Sequence, residues 1–145
     1  AHSPDRSITR ATLNRLEYEE SGPDLRPLYA ARMATRQILW VTNFWKAIAV
    51  QPELLKRTWQ GVKAVTAPGA LDPLVKEMLY VAISVTNGCK YCINSHTAAA
   101  RKKGMTDEML AELMAVVGMA NQTNALVTGF QVELDEAFKD GGRQS

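Results

Sequence analysis

The sequence is short of most features that would place it quickly. It has two cysteines and two histidines among 145 residues, too few cysteines for a disulfide-stapled scaffold, and it has no second Cys/His pair of the kind a zinc module is built on. No apolar stretch is long enough to span a bilayer, and Ala1 to Ser7 lacks the apolar segment of a secretory signal. Neither sign of charge dominates. The formal net charge is +2, and no Lys/Arg-rich run is interleaved with aromatics, so the electrostatic footprint of a nucleic-acid binder is missing. "RKK" at Arg101 to Lys103 is the only basic cluster, and it reads as the charged C-terminus of a helix. Repeats, low-complexity tracts and runs alternating polar with β-branched residues are also missing. The expected setting is cytoplasmic, without membrane or nucleic-acid partners. In a reducing compartment a close cysteine pair is more often catalytic or metal-binding than a staple.

What is present is helical spacing. The length fits one domain over residues 1–145, with a loosely attached segment at 1–23 and a fraying tail at 139–145. Thr12 to Glu20 is a candidate short helix ended by Gly22-Pro23. Leu25 to Val50 reads as one long helix or two, with Leu28, Ala31, Ile38, Val41 and Phe44 near helical spacing and Trp40 and Trp45 alongside. Pro52 suits the first turn of the next helix. Asp72 can cap a helix that opens with Pro73 and stops at Asn87-Gly88. Another runs from about Cys89 to Lys103 and ends at Gly104. Thr106 caps a further helix, with Asp107 and Glu108 matched to its dipole. A break is expected around Gly118 to Asn121, and a last helix reaches about Phe138. The fold class is therefore all-α, with six or seven helices. Met78 to Cys89 holds no charged residue, which points to a helix buried on several sides, at a subunit interface, or both.

Both cysteines and one histidine fall in "NGCKYCINSH", Asn87 to His96. On a helix starting near Cys89, Cys89 and Cys92 share a face, and so do Cys92 and His96. A helix N-terminus favours negative charge and lowers a thiol's pKa. One thiolate can attack a disulfide or a peroxide oxygen, a second can resolve the product, and His96 can move the proton. Glu77 reads two ways. By periodicity alone it is a solvated acid in a first helical turn. If the helices on either side of Gly88 pack antiparallel, Cys92 faces the level of Ser84 and His96 that of Tyr80, and Glu77 comes within side-chain reach of the imidazole. Two other readings stay open. C-x2-C-x3-H offers three metal ligands where closed zinc wants four, leaving His2 or Glu77 as the fourth. The cysteines could also be plain packing residues beside a surface histidine.

Together Glu77, Cys89, Cys92 and His96 form E-x11-C-x2-C-x3-H. This pattern, with "CKYCINSHTAAARKKGMTDEML" around it, resembles the AhpD-like alkylhydroperoxidases of the carboxymuconolactone decarboxylase superfamily. The close match covers about Asp72 to Leu113. The resemblance implies an all-α AhpD-like bundle that forms homotrimers or hexamers. It also implies a thiol peroxidase or disulfide reductase with Cys92 as peroxidatic thiol, Cys89 as resolving thiol, and His96 and Glu77 as proton relay. No metal, haem or flavin cofactor is expected. An external dithiol donor, in the well-known members a lipoyl-bearing protein, would reduce the disulfide, and a peroxiredoxin would receive electrons. The best-known members carry histidine just before the second cysteine. Tyr91 stands there in this chain, so that histidine's role does not transfer. Decarboxylases of the superfamily generally lack the cysteine pair. A decarboxylase using His96 as acid/base and a non-enzymatic oligomeric binding protein remain the competing readings. Trp40, Phe44, Trp45 and Tyr80 are the aromatic candidates for controlling access.

Overall fold

The computed structural model describes residues 15–36, 40–141 and 143, with Arg36 described in its backbone only. The described residues form six α-helices and one 3₁₀ turn, with no strand among them. The helices are α1 (Arg26–Arg36), α2 (Asn43–Ile48), α3 (Pro52–Thr66), α4 (Pro73–Thr86), α5 (Lys90–Lys102) and α6 (Asp107–Gly129). The 3₁₀ turn is Glu136–Phe138. Described residues up to Val65 form one compact unit, and those from Thr66 onward form another.

The first unit gathers α1, α2 and most of α3 around two indoles. Leu25, Tyr29, Val41, Trp45, Ala49, Leu55 and Trp59 make its buried cluster. The expected stripe on α1 is displaced by one position. Tyr29 and Arg32 are buried, while Ala31 is exposed. The reason is a charged residue in the apolar seam: the Arg32 guanidinium lies 5.1 Å and 5.2 Å from the ring centroids of Trp45 and Trp59, a placement that cation–π attraction rewards. The Tyr29 hydroxyl donates to the Leu16 carbonyl at 2.9 Å. Burial and the nearby Glu17 carboxylate push its pKa up to about 12. Trp40 and Phe44 are exposed, and Trp45 is core. The candidate helix over Thr12 to Glu20 is not formed where it is described: residues 15–17 are irregular and 18–20 are a turn. Thr12 to Asn14, Ile38 and His2 lie outside the described residues.

The second unit holds α4, α5 and α6, with α4 packed against both of the others. Its helix starts follow from local chemistry. The Asp72 carboxylate accepts from the Leu74 N–H at 2.8 Å, with Pro73 at the first helical position. The Thr106 hydroxyl accepts from the Met109 N–H at 3.1 Å. Each satisfies one donor that the first helical turn leaves without an intrahelical partner.

Two expectations for the last third of the chain fail. α6 runs unbroken for 23 residues through Gly118. A single helical glycine costs only about 1 kcal/mol, too little to stop a helix whose flanks are set. The chain also leaves the helix at Gly129 instead of continuing to Phe138. The Val132 N–H donates to the Val127 carbonyl and Gln131 N–H to Thr128, both at 3.1 Å. This is a Schellman cap with Gln131 in the left-handed region at φ +51°.

The expectation for α4 needs correcting in one of its two readings, that of a helix enclosed within the chain. Glu77, Val81 and Ser84 are buried on one face, while Val75, Leu79 and Ile83 are exposed. At 100° per residue these two triplets lie on opposite sides of the helix. Within the chain α4 is therefore half-covered rather than enclosed.

Candidate active site

The site begins with the turn between α4 and α5. Asn87 is the C-terminal cap of α4, and Gly88 takes φ +69°, a conformation a glycine adopts without steric cost. The Gly88 N–H donates to the Val85 carbonyl at 3.1 Å and the Cys89 N–H to the Ser84 carbonyl at 2.9 Å. These are the two bonds of a Schellman motif. Cys89 then serves as N-cap of α5, its sulfur accepting from the Cys92 N–H at 3.3 Å. One residue closes one helix and opens the next, so the register between α4 and α5 is fixed at the cysteine. The far end of α5 repeats the device. Gly104 sits at φ +104°, and the Met105 N–H donates to the Ala100 carbonyl at 3.0 Å, with both residues buried.

That register brings the expected residues together in two pairs, the cysteines with each other and Glu77 with His96. Cys89 and Cys92 are joined as a disulfide, with Cα atoms 5.3 Å apart. His96 lies one turn beyond Cys92 on the same helix. Its ring stacks on Tyr80 of α4, with centroids 4.0 Å apart and planes 12° from parallel. His96 Nδ1 lies 2.7 Å from Glu77 Oε2. The antiparallel alignment of His96 with Tyr80, with Glu77 one turn further along, is therefore what the structure shows. Glu77 is 3% exposed, which overturns the solvated reading that periodicity alone favours.

Burying a carboxylate is costly unless opposite charge and hydrogen bonds meet it. Glu77 has a basic group at each oxygen. His96 is at Oε2, and the Lys103 ammonium is 3.5 Å from Oε1. Sequence reasoning treated Lys103 only as the charged end of a helix. The signal available was its spacing of seven residues from His96, which returns it to the same face. Tyr80 was likewise placed at the level of His96 without its ring being recognised as a stacking partner. An ionised Glu77 would only accept hydrogen bonds, so across the 2.7 Å contact the proton would sit on Nδ1, and a neutral imidazole would then carry its lone pair on Nε2. A base so oriented, on the same face as a thiol one turn nearer a helix N-terminus, can take a thiol proton and return it.

A cleft of about 380 Å³ is formed by α4, α5 and α6. Its walls include Val81, Ile93, Thr97 and Leu110. At 100° per residue Ile93, Asn94, Thr97 and Arg101 lie well round α5 from Cys92 and His96, and none of Glu77, Cys89, Cys92 and His96 lines the cleft. Among the described residues no group of three or more His, Cys, Asp or Glu is arranged to hold a metal ion. No described helix is long and apolar enough to cross a membrane.

Comparison with known proteins agrees with the all-α fold. The carboxymuconolactone decarboxylase family matches residues 52–132, more than half of the chain. The crystal structure of an alkylhydroperoxidase AhpD core from Rhodospirillum rubrum superposes with a TM-score of 0.85 at 50% identity, covering 88% of this chain and 96% of that one. An uncharacterized protein of Cupriavidus necator is 44% identical over 59 residues, 40% of this chain and 52% of that protein. The alkyl hydroperoxide reductase AhpD of Solibacter usitatus is 32% identical over 71 residues, 49% of this chain and 38% of that protein. The matches thus span about half or less of these curated relatives' own length. With the six described helices matching the AhpD core fold, the chain belongs to the carboxymuconolactone decarboxylase family as an AhpD-like member.

Proposed function

We propose that this protein is a thiol-dependent peroxidase and disulfide oxidoreductase that reduces hydroperoxides through Cys92 and Cys89. The observation that carries the reading is the buried Glu77 carboxylate bound to His96 one helical turn from the cysteine pair. A chain spends several kcal/mol to bury a carboxylate of this kind, and titratable groups so placed cluster at reactive sites.

The steps balance as follows. The Cys92 thiolate attacks the outer oxygen of ROOH and the O–O bond breaks. Cys92 becomes a sulfenic acid, and the alkoxide takes a proton to leave as ROH. His96 takes the thiol proton at Nε2 beforehand and supplies the alkoxide's proton, while Glu77 holds the imidazolium. Cys89 then attacks the sulfenic sulfur, water departs, and the Cys89–Cys92 disulfide forms. Two electrons from an external dithiol restore both thiols. By resemblance that donor is a lipoyl-bearing protein and the downstream acceptor a peroxiredoxin. The chemistry calls for no metal or organic cofactor in the chain. Assembly as a homotrimer or hexamer belongs to the same proposal, supported by the exposed apolar faces of α4 and α6.

Trapping the sulfenic acid tests the mechanism. Reduced Cys89→Ser protein is treated with an alkyl hydroperoxide and then dimedone, and the adduct is mapped by mass spectrometry. The expected result is one adduct, on Cys92. Hydroperoxide consumption with no adduct on Cys92 would remove the assignment. Turnover of a carboxymuconolactone-type substrate that survives loss of both thiols would favour the decarboxylase reading.

A further inference from the structure

We infer that Tyr80 is a positioning residue for this chemistry: its ring clamps the His96 imidazole in the one orientation in which Nδ1 meets Glu77 and Nε2 is presented to the thiols. The inference rests on the reading of His96 as proton carrier. It begins from a degree of freedom that Glu77 alone leaves open. A single Nδ1···Oε2 contact at 2.7 Å fixes one atom of the ring but not the plane about that contact, and the terminal torsion of histidine is soft. A second constraint is needed to aim Nε2. Tyr80 supplies it, lying nearly parallel to the imidazole with centroids 4.0 Å apart.

Both constraints come from the same helix. Glu77 and Tyr80 are three residues apart on α4 and so share a face. The turn that ties Cys89 to Ser84 sets the height of α5 against that face. The imidazole is therefore held at its edge by the carboxylate and across its plane by the phenol ring, while the cysteines lie toward the N-terminus of its own helix. The stack also suits the work of the ring. The face of a tyrosine carries partial negative charge and attracts a cation laid against it, so it supports the imidazolium that forms when His96 accepts a proton. The aromatic ring does this, not the hydroxyl. Phenylalanine should replace Tyr80 with little effect, and an aliphatic side chain should not.

The test reads His96 directly, so that it stands apart from peroxidase activity. Uniformly ¹⁵N-labelled wild type, Tyr80→Phe and Tyr80→Leu are compared by long-range ¹H–¹⁵N spectra of the His96 ring. Wild type and Tyr80→Phe are expected to show the Nδ1–H tautomer with a free Nε2. Tyr80→Leu is expected to show averaged ring-nitrogen shifts, and its reduced form should lose roughly tenfold in thiol alkylation rate, a fraction of the 10²–10⁴ typical of a whole acid–base group. If circular dichroism shows that Tyr80→Leu does not fold, Tyr80→Met takes its place as an unbranched apolar side chain. An aliphatic variant that folds and keeps the wild-type tautomer and alkylation rate overturns the inference, as does a Tyr80→Phe protein that loses both. Should peroxide turnover be missing from every form while the tautomer shifts as expected, the clamp stands and the peroxidase reading falls.

Discussion

At the scale of the residue, the account turns on Glu77. The sequence offers it two environments, and local pattern prefers the wrong one by setting it in a first helical turn, where an acid is favoured whether or not anything covers it; α4 opens at Pro73 and holds no acid in its first turn. What buries it is non-local. The Schellman turn at Gly88 lays α5 along α4, and Ala99 and Ala100 of α5 are buried. The four-residue pattern was readable as a pattern, and counting residues outward from the turn placed His96 beside Tyr80. The Lys103 contact was not readable, since a lysine at a helix end has a sufficient reason to be there already. Glu77→Gln keeps the size of the side chain and removes its charge. The alkylation rate of the reduced protein at neutral pH should fall by about 10²-fold, with helical content unchanged. Lys103→Met should cost far less, because that ammonium is 38% exposed and solvent screens it. An unchanged rate in Glu77→Gln would mean that the buried carboxylate serves the fold alone.

At the scale of the element, starts were legible and stops were legible where glycine marked them. Pro52, Asp72-Pro73 and Thr106 open helices at the expected places, and Gly88 and Gly104 close them. The end of α6 was missed because a glutamine occupies the left-handed cap position, where sequence gives no warning. The break expected at Gly118 fails for the converse reason: a glycine with no structural demand on it looks like one that has it. Both points lead to a stability prediction. A non-glycine residue in the left-handed region costs roughly 1–2 kcal/mol, so Gln131→Gly should stabilise the protein by about 1 kcal/mol despite a more flexible unfolded chain. A Cβ added at Gly118 meets nothing within 4 Å, so Gly118→Ala should gain about 1 kcal/mol from helix propensity. Urea unfolding of the two variants checks this, and destabilisation in both would contradict the description of α6.

At the scale of the whole molecule, the apolar surface of the second unit is larger than its own packing uses. From Met114 to Val132 there is no charged residue, yet Val116, Met119, Leu126, Val127 and Phe130 are exposed. On α4, Val75, Leu79 and Ile83 form a second exposed stripe, opposite the face that carries Glu77. Patches of this extent are uncommon on monomers. Sequence reading saw the apolar excess but could not say which side of each helix it lay on, because α4 is apolar on both. Sedimentation at micromolar concentration should give a homotrimer or hexamer, and Ile83→Lys should shift the distribution toward smaller species. A wild-type monomer throughout that range would contradict the proposed assembly.

The central claim is that two thiols, aided by Glu77 and His96, carry electrons from a dithiol to a hydroperoxide. Its most direct test is hydroperoxide consumption with dihydrolipoamide as donor, followed in wild type, Cys92→Ser and Cys89→Ser at equal concentration. The account predicts sustained turnover in the wild type, none above the uncatalysed rate in Cys92→Ser, and slower turnover in Cys89→Ser, where the donor itself must resolve the sulfenic acid. Equal rates in wild type and Cys92→Ser would contradict it.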